Sequence, residues 1–122
     1  MFQISKKHQF SASHILSGLR EGHPCGRLHG HNYEIELVLQ GEEVGAEGFL
    51  VDYGDLRPFF AWIDDELDHR HLNDVIPSQP SAENLSRLLN LMAREVLTLP
   101  EAIDIIVRVS ETSKTSAEWR AS

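Results

Sequence analysis

The chain has one cysteine, no long hydrophobic run and fewer basic than acidic residues. With Cys25 as the only cysteine, an internal disulfide is excluded. No apolar stretch approaches the roughly 20 residues that span a bilayer, so we expect no transmembrane helix. The 11 basic and 19 acidic residues leave a formal net charge of −8, which argues against direct binding to nucleic acid or to an anionic membrane. The first residues lack the apolar region of a signal peptide, and we therefore expect a cytoplasmic protein.

Length and composition are those of one small domain. A chain of 122 residues, 41% of them hydrophobic, can bury a single modest core. The sequence contains no repeat, low-complexity segment or linker-like run. It therefore predicts one domain over residues 1–122.

Apolar side chains that recur at every second position predict β-strands in both halves of the chain. Ile35, Leu37 and Leu39 follow this period, as expected for one face of a half-buried strand. The predicted strands cover residues 2–13, 31–40, 49–51, 103–109 and 116–120.

Two helices are predicted between the outer strand pairs. The first follows Asp55 and runs to about Leu67, and the second begins at Ser81, a good N-cap residue that precedes an apolar stripe of period 3.6. Residues 67–79 are predicted to form a loop. Because consecutive strands with short connections pair antiparallel, the order ββααββ indicates an α+β fold. It has a four-stranded antiparallel sheet with both helices on one face.

The segment from Cys25 to His31 carries the densest set of metal-ligating side chains. On a strand, His29 and His31 point to the same face, and Gly30 between them allows a close approach. Zinc binds imidazole nitrogens at about 2.0–2.1 Å. His14 supplies a third imidazole from upstream. Three histidines with one open position are the ligand set of a catalytic zinc site.

Cys25 has two chemical roles open to it. As a fourth zinc ligand it would close the site and make it structural. As a free thiolate it would act as a base or nucleophile. Burial as a small hydrophobic side chain is the third alternative, which its loop neighbours Pro24 and Gly26 disfavour.

Two further pairs of residues combine a carboxylate with a neighbour suited to catalysis or binding. Asp68 precedes His69 in the predicted loop and could orient that imidazole for proton transfer, or both could be solvated loop residues. Glu111 and Thr112 follow a predicted strand. A carboxylate there could accept two N–H groups from a planar heterocycle, or it could be an ordinary exposed acid.

Taken in chain order, these residues resemble the 6-pyruvoyltetrahydropterin synthase superfamily over nearly the whole sequence. The elements that carry the resemblance are His14, Cys25-x3-His29-Gly30-His31, Leu67-Asp68-His69, Leu72-Asn73-Asp74, Pro80-Ser81-x-Glu83 and Glu111-Thr112. The Cys-to-His spacing is similar to that of the 6-carboxytetrahydropterin synthases, bacterial enzymes of the queuosine and 7-deazapurine route. Biopterin-type synthases usually have a longer gap. Ser81 is a mild departure, since the superfamily often has Thr there.

The resemblance implies a role for each of these residues. His14, His29 and His31 would bind one Zn²⁺ per subunit. Cys25 would be the general base, with Asp68 and His69 as its acid/base partners. Glu111 would anchor the pterin ring, with Thr112 and Ser81 nearby. Arg27 would be among the basic residues that meet the triphosphate; the other candidates are Arg20, Lys6 and Lys7.

The resemblance also implies an assembly and a reaction. Members of the superfamily have the tunnelling fold and form oligomeric barrels, usually homohexamers of two trimers with active sites between subunits. The implied reaction converts 7,8-dihydroneopterin triphosphate and water to 6-carboxy-5,6,7,8-tetrahydropterin, acetaldehyde and triphosphate. The alternatives are a 6-pyruvoyltetrahydropterin synthase or a related enzyme of a folate-type pathway. A non-catalytic zinc-binding module is a further alternative.

Overall fold

The computed structural model describes residues 1–121, and within them the chain forms five strands and three α-helices. The strands are β1 (Phe2–His14), β2 (His29–Gly41), β3 (Arg70–His71), β4 (Asp104–Ser110) and β5 (Ala117–Trp119). The helices are α1 (Arg57–Glu66), α2 (Leu72–Val75) and α3 (Ala82–Val96), and short 3-10 turns cover Pro24–Gly26 and Tyr53–Leu56.

The strands form one open sheet in the order β3-β1-β2-β4-β5. The pairs β1–β2, β2–β4 and β4–β5 are antiparallel, which confirms the predicted antiparallel arrangement of the four main strands. The sheet has five strands instead of the predicted four, because β3 pairs parallel with β1 at Ala12 and Ser13. The α+β class and the tunnelling-fold architecture are confirmed.

One face of the sheet carries the core. Alternate residues are buried along β2, β4 and the second half of β1, including Phe10 on β1, Ile35 and Leu37 on β2, and Val107 on β4. These side chains cluster with apolar residues of α1 and α3, such as Phe59 and Leu89, so the helices cover this face. The opposite face is mainly polar. Its ion pairs include Lys7 with Glu34 and Arg108 with Glu36.

The helix ends follow from local sequence. Ser81 is the N-cap of α3, and its hydroxyl accepts a hydrogen bond from the Asn84 amide at 3.2 Å, as predicted. Pro58 lies in the first turn of α1, where a missing N–H breaks no helical hydrogen bond.

Two local predictions were wrong. Residues 49–51 form no strand. A Cβ on Gly41 would lie 2.8 Å from side-chain carbons of both Leu50 and Ile103, so Leu50 packs across the end of the sheet instead of joining its edge. The predicted loop 67–79 contains β3 and α2, which the short segment alone could not specify because β3 exists only through its pairing with β1.

Within the described residues, no helix has the length and apolar character needed to cross a membrane.

A buried amide joins α3 to the end of the sheet. Asn90 is fully buried, and its Nδ2 donates to the carbonyl of Ile105 at 3.0 Å and to that of Trp119 at 3.4 Å. We expect Asn90→Ala to lower the free energy of unfolding by about 1–3 kcal/mol, because it leaves buried carbonyls without a donor. Urea unfolding measures this change. Leu91 is the neighbouring exposed residue and provides the control, since the stability of Leu91→Ala should stay within about 0.5 kcal/mol of that of the parent protein. An equal loss in both variants would contradict the role given to the buried Asn90 amide.

Candidate active site

Three histidines converge at one end of the β1–β2 pair. His14 is the last residue of β1 and lies directly opposite His29, the first residue of β2. His31 lies two residues further along β2 and therefore on the same face. One ligand nitrogen from each ring lies within 4.8 Å of the others, so the three residues could hold a metal ion. His14 is fully buried and the other two are half-buried.

Backbone carbonyls orient two of these rings. Nδ1 of His14 lies 2.7 Å from the Pro80 carbonyl, and Nδ1 of His29 lies 2.7 Å from the Arg27 carbonyl. Because a carbonyl only accepts, both Nδ1 atoms are assigned protons, and in the neutral rings each Nε2 carries a lone pair. A hydrogen bond from Nδ1 to a carbonyl is the usual support of a metal-ligating histidine.

The Nε2 atoms of His14 and His29 lie close together. Nε2 of His14 and Nε2 of His29 lie 2.8 Å apart, and two unprotonated nitrogens repel at that distance. Burial lowers the pKa of His31, and its neighbours His14 and His29 lower it further, against an opposing effect of Glu111. His31 is therefore neutral, as a ligand must be, at pH values where an ordinary histidine begins to protonate. The donor set fits zinc.

Two side-chain amides hold the chain that follows His14. Asn73 accepts from the Ile15 amide at 2.9 Å and donates to the Ile15 carbonyl at 2.8 Å. Gln79 accepts from the Ser17 amide at 2.8 Å and donates to the Ser17 carbonyl at 3.0 Å. These bonds tie the β1 exit to the segment that presents the Pro80 carbonyl. Nothing in the spacing of Asn73 and Gln79 along the sequence indicates these contacts.

Glu111 follows β4 on the face that carries the histidines. Its Oε2 lies 3.1 Å from Nε2 of His31 and 3.4 Å from Nε2 of His14. Tyr33 lies beneath the cluster, with its hydroxyl 3.3 Å from Nδ1 of His14. Burial, together with the negative charge of Glu111, raises the pKa of Tyr33 well above its ordinary value. Tyr33 is thus a neutral phenol in the floor of the site, a role that its sequence position did not reveal.

Cys25 lies in the 3-10 turn that precedes β2. Its amide donates to Nδ1 of His23 at 3.0 Å, and its carbonyl accepts from the Leu16 amide at 3.0 Å. The thiol is free and half-buried. Among the described residues, the ligand atoms that converge come from His14, His29 and His31, and Cys25 is not one of them.

Asp68 and His69 form a pair at the edge of β1. Asp68 accepts from the Ser11 amide at 2.9 Å and lies 2.9 Å from Nδ1 of His69. The bond from the Ser11 amide, followed by that from His69, lowers the pKa of Asp68. His69 has φ +60°, the only positive φ of a non-glycine residue in the described chain. Its amide donates to the Ser11 carbonyl at 2.6 Å. Such a backbone conformation is costly and often marks a functional position.

The cavity beside His69 also reaches the histidine cluster at His31. The His69 side chain is 81% exposed and lines an open cavity of about 440 Å³. Ser11, Ser13, Gly30 and Asn32 of the two strands also line this cavity, and so do Ala12 and His31, which have the opposite parity. Nδ1 of His71 lies 2.9 Å from Oγ of Ser13, which fastens β3 to β1.

The remaining predicted residues lie around the site but do not all point into it. Ser81 caps α3, next to the Pro80 carbonyl that orients His14. Thr112 Oγ1 lies 3.3 Å from Oγ1 of Thr115 and accepts from the Lys114 amide in the turn after β4. Arg27 is exposed and lines a cavity together with Arg20 and His23.

Known proteins resemble this chain over most of its length. The sequence profile described as 6-pyruvoyl tetrahydropterin synthase matches residues 3–122. A protein of Archaeoglobus fulgidus with the provisional name 6-carboxy-5,6,7,8-tetrahydropterin synthase is 32% identical over 112 residues, which cover 91% of this chain and 89% of the relative. The Bacillus subtilis 6-carboxy-5,6,7,8-tetrahydropterin synthase is 33% identical over 73 residues, or 60% of this chain and 47% of that protein.

A solved structure shows the same fold. The Caenorhabditis elegans 6-pyruvoyl tetrahydropterin synthase matches with a TM-score of 0.86 and 24% sequence identity, over 99% of this chain and 96% of the other. At that identity the likeness concerns the architecture, which is the one expected from the sequence.

The histidine cluster leads to a direct test of metal binding. We expect His29→Ala to lose zinc, because only two of the three converging nitrogens remain. We expect Cys25→Ala to keep one zinc per chain, because Cys25 lies outside the cluster. Elemental analysis after dialysis measures both. Loss of zinc from the Cys25→Ala protein would show instead a closed site of one cysteine and three histidines.

Proposed function

The chain belongs to the 6-pyruvoyl tetrahydropterin synthase family, and we propose that within it the protein is a zinc-dependent 6-carboxytetrahydropterin synthase. It would convert 7,8-dihydroneopterin triphosphate and water to 6-carboxy-5,6,7,8-tetrahydropterin, acetaldehyde and triphosphate. This reaction would serve queuosine and 7-deazapurine biosynthesis in the cytoplasm.

The observation that carries the proposal is the cluster of three imidazoles beside a carboxylate, in a chain that also holds Cys25 and the Asp68–His69 pair. His14, His29 and His31 leave a fourth position for a substrate oxygen. The names of the relatives from Archaeoglobus fulgidus and Bacillus subtilis support the carboxy-forming branch.

The residues divide the chemistry among them. A bound zinc would act as a Lewis acid that makes the side-chain hydroxyl protons and the adjacent C–H easier to remove. Cys25, as thiolate, would take the proton from carbon. His69, oriented by the carboxylate of Asp68, would pass protons on the other side of the substrate. Glu111 would accept two N–H bonds from the pterin ring, as a carboxylate does from arginine.

We propose that each active site combines two subunits. Within one chain the His69 side chain is largely exposed, and the cavity that it shares with His31 is open, so the site has room for residues of a neighbouring subunit. In the described residues β3 pairs with β1 only at Ala12 and Ser13, and Asp68 and His69 bond to Ser11. The outer β1 edge before Ser11 therefore has no strand partner and could pair with a neighbour. A homohexamer of two trimers, as the family resemblance implies, would bring the pair of one subunit to the zinc of the next.

Product analysis tests the reaction. Incubation of the zinc-loaded protein with 7,8-dihydroneopterin triphosphate under anaerobic conditions should yield 6-carboxytetrahydropterin and an equal amount of acetaldehyde, measured by mass spectrometry. The metal-free protein is the control. A pyruvoyl product without acetaldehyde would place the enzyme in the biopterin-type branch. An unchanged substrate would favour the zinc-binding module.

Complementation tests the composite site. Cys25→Ala and His69→Ala should each lower kcat roughly 10²–10⁴-fold, the usual contribution of a general acid or base. After the two proteins are unfolded and refolded together, some sites would combine an intact Cys25 with an intact His69 from a neighbouring subunit. Activity should then return well above that of either variant. A mixture no more active than its components would show that both residues act within one chain.

A further inference from the structure

Glu111 is the one acidic side chain that contacts the histidine cluster, among the residues the structure describes. The alternation of side chains between the two faces of β4 explains why Glu111 lies there. Ile105, Val107 and Val109 are buried on the core side. Glu111 lies two residues after Val109 and one residue beyond the end of the strand, so its side chain falls on the same side. Its register partner on β2 would be Tyr33, because Glu34 pairs with Ser110. The strand pairing therefore carries the carboxylate to the histidines.

The distances are those between neighbouring ligands of one metal ion. Ligands about 2.0–2.1 Å from a tetrahedral zinc lie roughly 3.4 Å from one another. Oε2 of Glu111 lies 3.1 Å from Nε2 of His31 and 3.4 Å from Nε2 of His14. The carboxylate thus stands at the side of the cluster where the fourth position of a zinc ion would open.

Charge and mobility both suit an exchangeable ligand. Three neutral imidazoles leave the full +2 charge of zinc in a half-buried site, and a carboxylate reduces it. The Glu111 side chain keeps 27% of its surface exposed, and in the described structure its contacts within bonding distance are with these histidine nitrogens. No further hydrogen bond locks it in place, so the carboxylate can turn away without breaking other contacts.

We propose that Glu111 is a displaceable fourth ligand of the zinc in the resting protein. The same carboxylate leaves the metal when the N–H edge of a pterin offers it two hydrogen bonds. Recognition of the ring thereby opens the coordination position that the substrate side chain needs. This inference rests on the zinc site and the pterin specificity of the proposed function.

The metal itself reports the exchange when Co²⁺ replaces Zn²⁺, because its visible spectrum depends on ligand number and type. We expect the parent protein and Glu111→Gln to give different Co²⁺ spectra. The probe is 7,8-dihydropterin, which lacks a side chain and so offers the metal no hydroxyl oxygen. It should change the spectrum of the parent protein and leave that of Glu111→Gln unchanged.

Zinc affinity supplies a second readout that needs no turnover. Glu111→Gln and Glu111→Ala should bind zinc at least about 10-fold more weakly than the parent protein in a chelator competition, as expected for loss of a supporting group. Glu34→Gln is the matched control. Glu34 lies on the neighbouring strand, faces the other side of the sheet and pairs with Lys7, so its variant should match the parent protein in both assays.

The outcomes separate this inference from the proposed reaction. Identical Co²⁺ spectra and zinc affinities in the parent protein and the Glu111 variants would overturn it, even if the carboxy product forms. A spectrum that stays unchanged while calorimetry shows 7,8-dihydropterin bound would also overturn it, because the carboxylate would not have moved. The expected spectral change would support it even if 7,8-dihydroneopterin triphosphate proved not to be the substrate.

Discussion

The register between β1 and β2 is the constraint on which the core and the candidate site both depend. The same pairing that sets His14 opposite His29 sets Phe10 opposite Tyr33, where their rings stack with centroids 4.9 Å apart. A slip by one residue would turn every side chain of one strand to the other face. The hydrophobic pattern therefore holds the imidazoles in place, because the buried residues of both strands cannot accept another register.

The site also depends on groups that bring no chemistry of their own. The carbonyls of Arg27 and Pro80 orient two imidazoles, and the amides of Asn73 and Gln79 hold the chain from which His14 departs. Each bond is ordinary in strength, about 0.5–1.5 kcal/mol net. These bonds matter because they fix the orientation of the His14 and His29 rings, whose Nε2 atoms face each other at 2.8 Å.

β3 links the fold to the proposed chemistry in a different way. It is only two residues long, yet its pairing with β1 holds His69 in a left-handed conformation that a histidine rarely adopts. Ser11 contributes both its amide and its carbonyl to this edge. The edge of β1 thus supports a strained residue, while the end of the same strand carries a candidate metal ligand.

Much of this arrangement could be predicted from the sequence, because it depends on local periodicity. The period of two identified the long strands and placed His29 and His31 on one face, and Ser81 marked the start of α3. Interactions between distant residues could not be predicted in this way. β3 exists only as a partner of β1, and the carbonyl that orients His14 lies 66 residues away from it. The approach of Glu111 to the histidines depends on the pairing of β4 with β2. The sequence by itself therefore determined which side chains could bind a metal. The tertiary structure decided which backbone groups orient these side chains and which carboxylate they contact, because those contacts form only when distant parts of the chain come together.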